Sequence, residues 1–352
     1  MNPENTNYSC CPLEGATNLQ ISSHIARCAQ LAMLLEVSAS PKPGNVDREH
    51  NYPDTCFEHF VASSVSAYPV FELAARSRKE IGTLIKNVVL ESSTWQCGGN
   101  THFGAFLLLI PLIMAAGEFF DSRRKTDFKV SQEDFKALAA LAHEFVRATD
   151  SADAVEFYRA FGSAGVRVNE VEEFSLSDPE SASELREKGI TLYKLMEISE
   201  SYDLIANEWV SGFKRCLEGA RIITEFMENV NSEKENSIRN CSGTGINEAV
   251  VYAFLKLLSK NRDTFIQTKY DQETADYVSK KAALILSNWE ENSFKEKSSH
   301  ISADSPFRDF ALLLPAIKEF DNELLEKRIN PGSTADIIIA SLFLSLLGGL
   351  RF

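Results

Sequence analysis

The sequence predicts an all-α fold, arranged as one large domain of about a dozen helices. Apolar residues recur at three- and four-residue spacing in one segment after another of the 352-residue chain. Gly-, Pro- or Ser/Thr-containing stretches bound these segments and can stop one helix and cap the next. Strand-like alternation and a repeat period are not apparent. We therefore expect a flexible N-terminal arm over residues 1–17 and an all-α domain over residues 18–352.

The hydrophobic content and the net charge indicate which classes of molecule the protein can bind. The chain is 44% hydrophobic, as expected for a globular core, and its net charge is −14. This negative charge argues against nonspecific electrostatic binding to the phosphates of nucleic acids. It is compatible with divalent cations and with phosphorylated small molecules bound through them, although solubility alone would also explain it.

Cysteine usage and hydropathy predict a cytoplasmic protein. The seven cysteines form no CxxC pair, which favours reduced thiols over disulfides or structural zinc. The N-terminus lacks the basic and apolar regions of a signal peptide. The most apolar stretches, residues 103–116 and 337–350, are too short or too interrupted to span a bilayer and are predicted to be core helices without membrane contact. Large apolar helices permit a homodimer without requiring one.

The first helix is expected to begin at Asn18, which can cap it, and to carry Glu36 at its C-terminal end. A carboxylate is unfavourable there against the helix dipole, so Glu36 should have another partner. The run Ser40-Pro41-Lys42-Pro43-Gly44 stops the helix, because proline removes a backbone donor and restricts its predecessor. This polar stretch, residues 36–58, is the first of three breaks.

The next helix is predicted to start with a capping box formed by Thr55 and Glu58. Capping accounts for both of these residues. It does not account for His50 and Asp54, which stand just before the helix and are candidates for a binding role.

The second break precedes the most apolar helix. Gly98 and Gly99 permit unusual backbone angles and close approach to a ligand. Asn100 or Thr101 can cap the helix, which places His102 in its first turn. The sequence leaves open whether His102 is a core residue or a ligand contact.

The middle of the chain is predicted to be a series of helices, with a scaffold role for residues 185–227. Ser131 and Asp134 form a second capping box, and Thr149-Asp150 begins a shorter helix. An acidic, Ser-rich stretch over residues 168–185 is expected to be a solvated excursion. A long helical region over residues 185–227, a helix after Asn247 and another over residues 307–325 follow.

The third break, residues 328–336, opens the last apolar helix. Ser333 is expected to cap this helix, with Asp336 as the acidic half of a capping-box-like pair. Sites in helical folds are built from facing helix ends, so the three breaks could line one cavity. Such a cavity suits a phosphorylated nucleotide with a divalent cation. The sequence contains no P-loop and no nucleophile elbow, which argues against those enzyme classes.

Three motifs, in order, carry a resemblance to a known family. They are PKPGNVD with the following His50 and Asp54, GGNTHFGAFLLLIPL, and NPGSTADIIIASLFL. Together, over residues 36–347, they resemble the triphosphoribosyl-dephospho-CoA synthase family in its form outside the citrate lyase systems. The resemblance implies an all-α transferase that moves the triphosphoribosyl group of ATP to the ribose 2′-hydroxyl of 3′-dephospho-CoA and releases adenine.

The resemblance also implies residue roles. Glu36 or Asp54 would act as the general base or as a cation ligand, and His102 would contact phosphate or assist adenine departure. Mg²⁺ is the expected cation, with Glu36, Asp54 and Asp336 as its ligands. The nucleotide-binding residues would be Lys42, Gly44, Asn45, Asn100, Thr101, Gly104, Asn330, Gly332, Ser333 and Thr334. ATP and a coenzyme A precursor would be the small-molecule partners.

The chain departs from the citrate lyase form of the family at two places. Phe103 stands where those members have a lysine after the NTH triplet, and EHNYPDT stands where they have a Gly-Ala-His-x-Asp-Met run. Two alternatives therefore stay open beside the main prediction. One is a related phosphoribosyl transfer in the synthesis of another coenzyme, and the other is a helical nucleotide-binding protein without catalysis.

Overall fold

The computed structural model describes residues 17–123, 131–164, 181–236, 245–296 and 306–352. These residues form sixteen helices and no strand, which confirms the all-α prediction. The helices are α1 (Asn18–Ser38), α2 (Phe57–Ser66), α3 (Tyr68–Ala74), α4 (Ile81–Thr94), α5 (Phe103–Arg123), α6 (Gln132–Arg147), α7 (Ser151–Ala164), α8 (Ser181–Glu187), α9 (Leu192–Ser199), α10 (Leu204–Ser211), α11 (Lys214–Asn236), α12 (Ile246–Lys260), α13 (Thr264–Lys269), α14 (Gln272–Glu296), α15 (Pro306–Glu326) and α16 (Gly332–Leu347).

The helices outnumber the expected dozen partly because the region predicted as one helical stretch over residues 185–227 is divided. Gly189, with φ 62°, ends the turn after α8, and Thr191 caps α9. Asp203 caps α10, and Gly212, with φ 75°, ends it. Caps and left-handed residues interrupt the hydrogen-bond ladder even where the apolar spacing continues. Residues 1–16 of the predicted N-terminal arm and most of the acidic excursion lie outside the described residues.

Helices α5 and α16 form the centre of the core. They pack against each other, and both pack against α1. Helix α5 runs to Arg123 and is therefore longer than the predicted core segment. Its stretch Phe103–Ser122 is long and apolar enough to cross a membrane by length and composition, yet 89% of its most apolar part is buried inside the protein. A helix that is apolar on every side needs such surroundings, and here the other helices supply them.

The first helix begins at Asn18 as predicted, but three of the predicted helix caps are wrong. Thr17, rather than Asn18, caps α1 in a capping box with Gln20. Helix α2 begins after Cys56, whose amide donates to His59 Nδ1, so Thr55 and Glu58 do not form the expected box.

The third wrong cap is at α16, which is preceded by Pro331 and has no side-chain cap. The Ser333 hydroxyl instead contacts Thr264 and accepts from the Phe265 amide, both at 3.1 Å. A tertiary partner has displaced the local cap. The Ser131–Asp134 box at α6 is confirmed.

Candidate functional site

The structure brings parts of the three breaks together: the loop that follows α1, the N-terminal end of α5 and the N-terminal end of α16. Asn45 Nδ2 donates to Asn330 Oδ1 at 3.0 Å, which joins the first break to the third. A Cβ on Gly104, at the start of α5, would lie 2.1 Å from Asp336 Oδ2 in α16. This contact joins the second break to the third. The result is a cluster of buried polar groups between helix ends.

Glu36 and Lys42 form a buried ion pair in this cluster. Lys42 Nζ donates to Glu36 Oε1 at 2.5 Å and to the Glu36 carbonyl oxygen at 2.7 Å, and the Lys42 and Glu36 side chains are 0% and 2% exposed. This pair confirms the expectation that Glu36 needs a partner. Burial raises the pKa of Glu36, while the Lys42 charge opposes that rise. A buried pair of this kind is tolerated because each charge satisfies the other.

His102 is held by a short hydrogen-bond chain. Ser92 Oγ donates to Ser63 Oγ at 2.7 Å, and Ser63 Oγ lies 2.8 Å from His102 Nδ1. Because Ser63 Oγ already accepts from Ser92, we assign the Ser63 proton to Nδ1 and the proton of the neutral ring to Nε2. Nε2 is buried and has no hydrogen-bond partner among the described residues. Burial lowers the pKa of His102 to about 3, so the ring is neutral near pH 7.

The role of His102 that the sequence left open is thus partly resolved. Phe60 packs edge-on against the ring, with centroids 4.9 Å apart, as expected of a core residue. The free Nε2–H is a donor without an acceptor in the part of the chain that the structure describes, as expected of a group that meets a ligand.

Asp336 lies against the first turn of α5. Burial raises its pKa well above the ordinary value, the Glu36 charge raises it further, and a hydrogen bond from the Ala105 amide opposes the rise. Asp336 and Glu36 therefore lie close enough to influence each other's ionisation, in a region poor in water.

Sequence reasoning missed two carboxylates of the cluster. Asp47 is fully buried and its Oδ1 accepts from the amides of Glu49 and His50, at 2.8 and 2.9 Å. Asp321, in α15, accepts from the Gly44 amide at 2.8 Å. Asp47 stands inside the first motif and could have been selected there. Asp321 has no local signal, because its partner is distant in the chain.

Asp54 is not gathered into the buried cluster. Its side chain is exposed and accepts from the neighbouring Thr55 hydroxyl at 3.5 Å. Its assignment as base or cation ligand stays a prediction.

Other predicted nucleotide-binding groups have protein partners. Asn100 Oδ1 accepts from the Phe103 amide at 3.0 Å, as a cap would. The Thr334 hydroxyl donates to Asp263 Oδ2 at 2.8 Å. Thr101 Oγ1 is buried without a hydrogen-bond partner among the described residues, so it remains available to a ligand. Contacts from these groups to a nucleotide stay predictions.

Phe103, which replaces the lysine of the citrate lyase form, is buried in an aromatic cluster. Its ring centroid lies 4.6 Å from that of Phe161 and 6.0 Å from that of Phe157. An apolar contact between α5 and α7 therefore takes the place of a cation at this position.

We predict that Asp321→Asn changes the pH dependence of stability in EDTA. Burial raises the pKa of Asp321 from 3.8 to about 6; the neighbouring Asp47 charge adds to the rise, and the Gly44 amide, His50 and Lys42 oppose it. Because the folded pKa is the higher one, this group favours folding below pH 3.8, and its contribution is lost as the pH rises through about 6.

The asparagine cannot ionise, so the Tm of the variant relative to wild type should rise between about pH 4 and 6.5. Circular dichroism melts at stepped pH measure this difference. Glu319→Gln, at an exposed position of the same helix, is the control. If the difference in Tm between wild type and Asp321→Asn stays constant across this pH range, the raised pKa of Asp321 is contradicted.

Comparisons with known proteins identify the family of the chain. The family model for ATP:dephospho-CoA triphosphoribosyl transferase matches residues 22–351. A relative from Haemophilus ducreyi, named 2-(5''-triphosphoribosyl)-3'-dephosphocoenzyme-A synthase, is 22% identical over 349 residues, which cover 94% of this chain and 91% of the relative. A crystal structure from Archaeoglobus fulgidus, described as a triphosphoribosyl-dephospho-CoA synthase, has a TM-score of 0.55 and 28% identity, covering 83% of this chain and 100% of its own. The match to the family model spans nearly the whole chain and includes all three breaks, and the chain therefore belongs to the ATP:dephospho-CoA triphosphoribosyl transferase family.

Proposed function

We propose that this protein is a transferase that moves the triphosphoribosyl group of ATP to the ribose 2′-hydroxyl of 3′-dephospho-CoA, with release of adenine. One observation carries the proposal: the three motifs, far apart in a sequence that matches the family over residues 22–351, meet in one buried polar cluster. Facing helix ends that converge in this way are a common form of site in helical proteins.

The reaction is a substitution at C1′ of the ATP ribose. The bond from C1′ to the adenine nitrogen breaks, a bond from C1′ to the acceptor oxygen forms, the hydroxyl loses its proton, and adenine gains one. Positive charge develops on the sugar in such a step, and a nearby carboxylate stabilises it. A base within hydrogen-bond reach must also take the hydroxyl proton.

Glu36 is the better candidate for the base. It is buried beside the converging helix ends, whereas Asp54 is exposed. Burial raises the pKa of Glu36, which makes its carboxylate a stronger base than an exposed one. The Lys42 ammonium on Oε1 keeps the group ionised and oriented, and Oε2 is left to face a substrate. Lys42 thus acts through Glu36.

His102 is proposed to donate a hydrogen bond from Nε2 to a substrate atom. The Ser63 and Ser92 hydroxyls fix the tautomer, so the donor is in place before a ligand arrives. A ring with its pKa near 3 is a hydrogen-bond donor rather than a proton source at neutral pH. The acceptor would be a phosphate oxygen or a ring nitrogen of the departing adenine.

The charges of the cluster imply a cation. Glu36, Asp47 and Asp321 would lie near a triphosphate that is itself strongly negative, with Lys42 as the buried counter-charge. Burial favours the neutral form of Asp336, which leaves it out of this sum. A divalent cation such as Mg²⁺ would neutralise phosphate charge when bound. The carboxylates present have the oxygen ligands that such a cation prefers.

Release of adenine tests the function. Purified protein with ATP, Mg²⁺ and 3′-dephospho-CoA should release one adenine per acceptor consumed, measured by chromatography, and little without the acceptor. Adenine release with a different acceptor but not with 3′-dephospho-CoA would instead support a related phosphoribosyl transfer in the synthesis of another coenzyme. ATP that raises the Tm of the protein without adenine release under any acceptor would support a non-catalytic nucleotide-binding protein.

A further inference from the structure

The geometry points to a divalent-cation site formed by Asp47, His50 and Asp321, a different set from the Glu36, Asp54 and Asp336 expected from the motifs. One donor atom from each of the three side chains lies within 4.8 Å of the others. His50 Nδ1 is 3.1 Å from Asp47 Oδ1 and 3.6 Å from Asp321 Oδ2. Two carboxylates and one imidazole are thus gathered around one point.

An unpartnered oxygen is the independent sign that this group takes a ligand. Asp47 is 0% exposed, and its Oδ2 has no hydrogen-bond partner among the described residues. Its Oδ1, by contrast, accepts from two amides and lies beside the His50 ring. A buried carboxylate oxygen without a partner is costly, and a bound cation supplies the missing interaction.

The surroundings hold the carboxylates in position before a cation binds. Asp321 Oδ1 accepts from the Gly44 amide, and the Tyr52 hydroxyl donates to the Gly44 carbonyl at 2.6 Å. Gly44 has φ 71°, and a Cβ there would lie 2.2 Å from the Ile329 carbonyl oxygen. Only glycine fits this turn. The loop that carries Asp47 and His50 is therefore fixed against α15.

The site has one open side. Asp47 and Asp321 are buried, but the His50 side chain is 30% exposed. Carboxylate oxygens with one imidazole suit Mg²⁺ or Mn²⁺, which complete their coordination with water or with phosphate oxygens. An open side would admit either.

The site adjoins the proposed reaction centre. The Asp47 charge raises the pKa of Glu36, and the Lys42 charge lowers the pKa of Asp321, so the two groups of residues share one electrostatic environment. The use of the cation to carry the triphosphate rests on the proposed function. Binding of the cation does not, because the ligands are already assembled in the protein.

Mn²⁺ alone, without nucleotide, is the probe for this site. Electron paramagnetic resonance titration of the full chain should show one bound Mn²⁺, and Asp47→Asn and Asp321→Asn should each weaken binding at least about tenfold. Both substitutions keep an oxygen acceptor and the size of the side chain. Circular dichroism melts in EDTA show whether each variant is folded.

Two variants serve as controls. Glu319→Gln changes an exposed carboxylate on α15, and Glu291→Gln changes an exposed carboxylate on α14. Both should bind Mn²⁺ as wild type does. Wild-type protein that binds no Mn²⁺, or folded Asp47→Asn and Asp321→Asn variants that bind it normally, would overturn the inference.

The Mn²⁺ binding experiment tests the cation site independently of the proposed function. Mn²⁺ binding that is lost in the two variants supports the site even if no adenine is released from ATP. If Asp47→Asn and Asp321→Asn both release adenine at the normal rate in EDTA, a cation at this site does not serve the reaction.

Discussion

Lys42→Met is expected to lower the free energy of unfolding by about 3–5 kcal/mol, because it leaves the Glu36 carboxylate buried without its counter-charge. Both side chains are almost completely buried, so water cannot replace the lost ammonium. Denaturant unfolding followed by circular dichroism measures the change. Adenine release should fall with it, since the proposed base loses the group that orients it.

Two further variants show whether the loss comes from the pair itself. Lys42→Met with Glu36→Gln should recover much of the lost stability, because the uncompensated charge is gone, while adenine release stays low. Lys260→Met breaks an exposed pair with Glu218 and should cost no more than about 1 kcal/mol. A Lys42→Met protein as stable as Lys260→Met would contradict the buried ion pair.

Gly104→Ala is expected to reduce adenine release by at least about 100-fold, because it separates the helix starts that form the cluster. The new Cβ would lie 2.1 Å from Asp336 Oδ2 and 3.3 Å from Ile205 Cγ1. Relief of that overlap requires α5 or the Asp336 side chain to move. We expect a loss of stability of about 1–3 kcal/mol as well. Initial rates with saturating ATP and unfolding curves give the two values.

Gly162→Ala is the matched control. Gly162 lies in α7, and a Cβ added there would meet no described atom within 4 Å. Alanine should therefore leave adenine release unchanged and raise stability by about 0.5–1 kcal/mol. Wild-type rates in Gly104→Ala would mean that the contact between α5 and α16 does not shape the reaction centre.

The residues of the cluster that could be predicted are those that are unusual for their position in the local sequence. Glu36 stands where a helix end disfavours an anion, and its partner Lys42 is only six residues away. His102 follows two glycines at the start of an apolar helix, and among the described residues it does retain an unpartnered nitrogen. Such residues are recognisable because their own segment does not explain them.

The sequence could not predict groups whose role depends on contacts with residues far away in the chain. Asp321 sits on an ordinary helical stretch, and only its hydrogen bond with the Gly44 amide, 277 residues away, brings it to the cluster. Ser333 looked like a cap because its local pattern fits one, yet the start of α13 engages its hydroxyl. Asp54 stands beside the predicted Thr55–Glu58 capping box, but the residue that caps α2 is Cys56.

Mass analysis of the reaction products is the most direct test of the triphosphoribosyl transfer. After incubation of the protein with ATP, Mg²⁺ and 3′-dephospho-CoA, we expect free adenine and one new coenzyme product. The mass of that product should equal the two substrates together minus adenine, with fragmentation placing the addition on the ribose. A coenzyme product enlarged by a single phosphate, or unchanged 3′-dephospho-CoA beside intact ATP, would rule out triphosphoribosyl transfer to this acceptor.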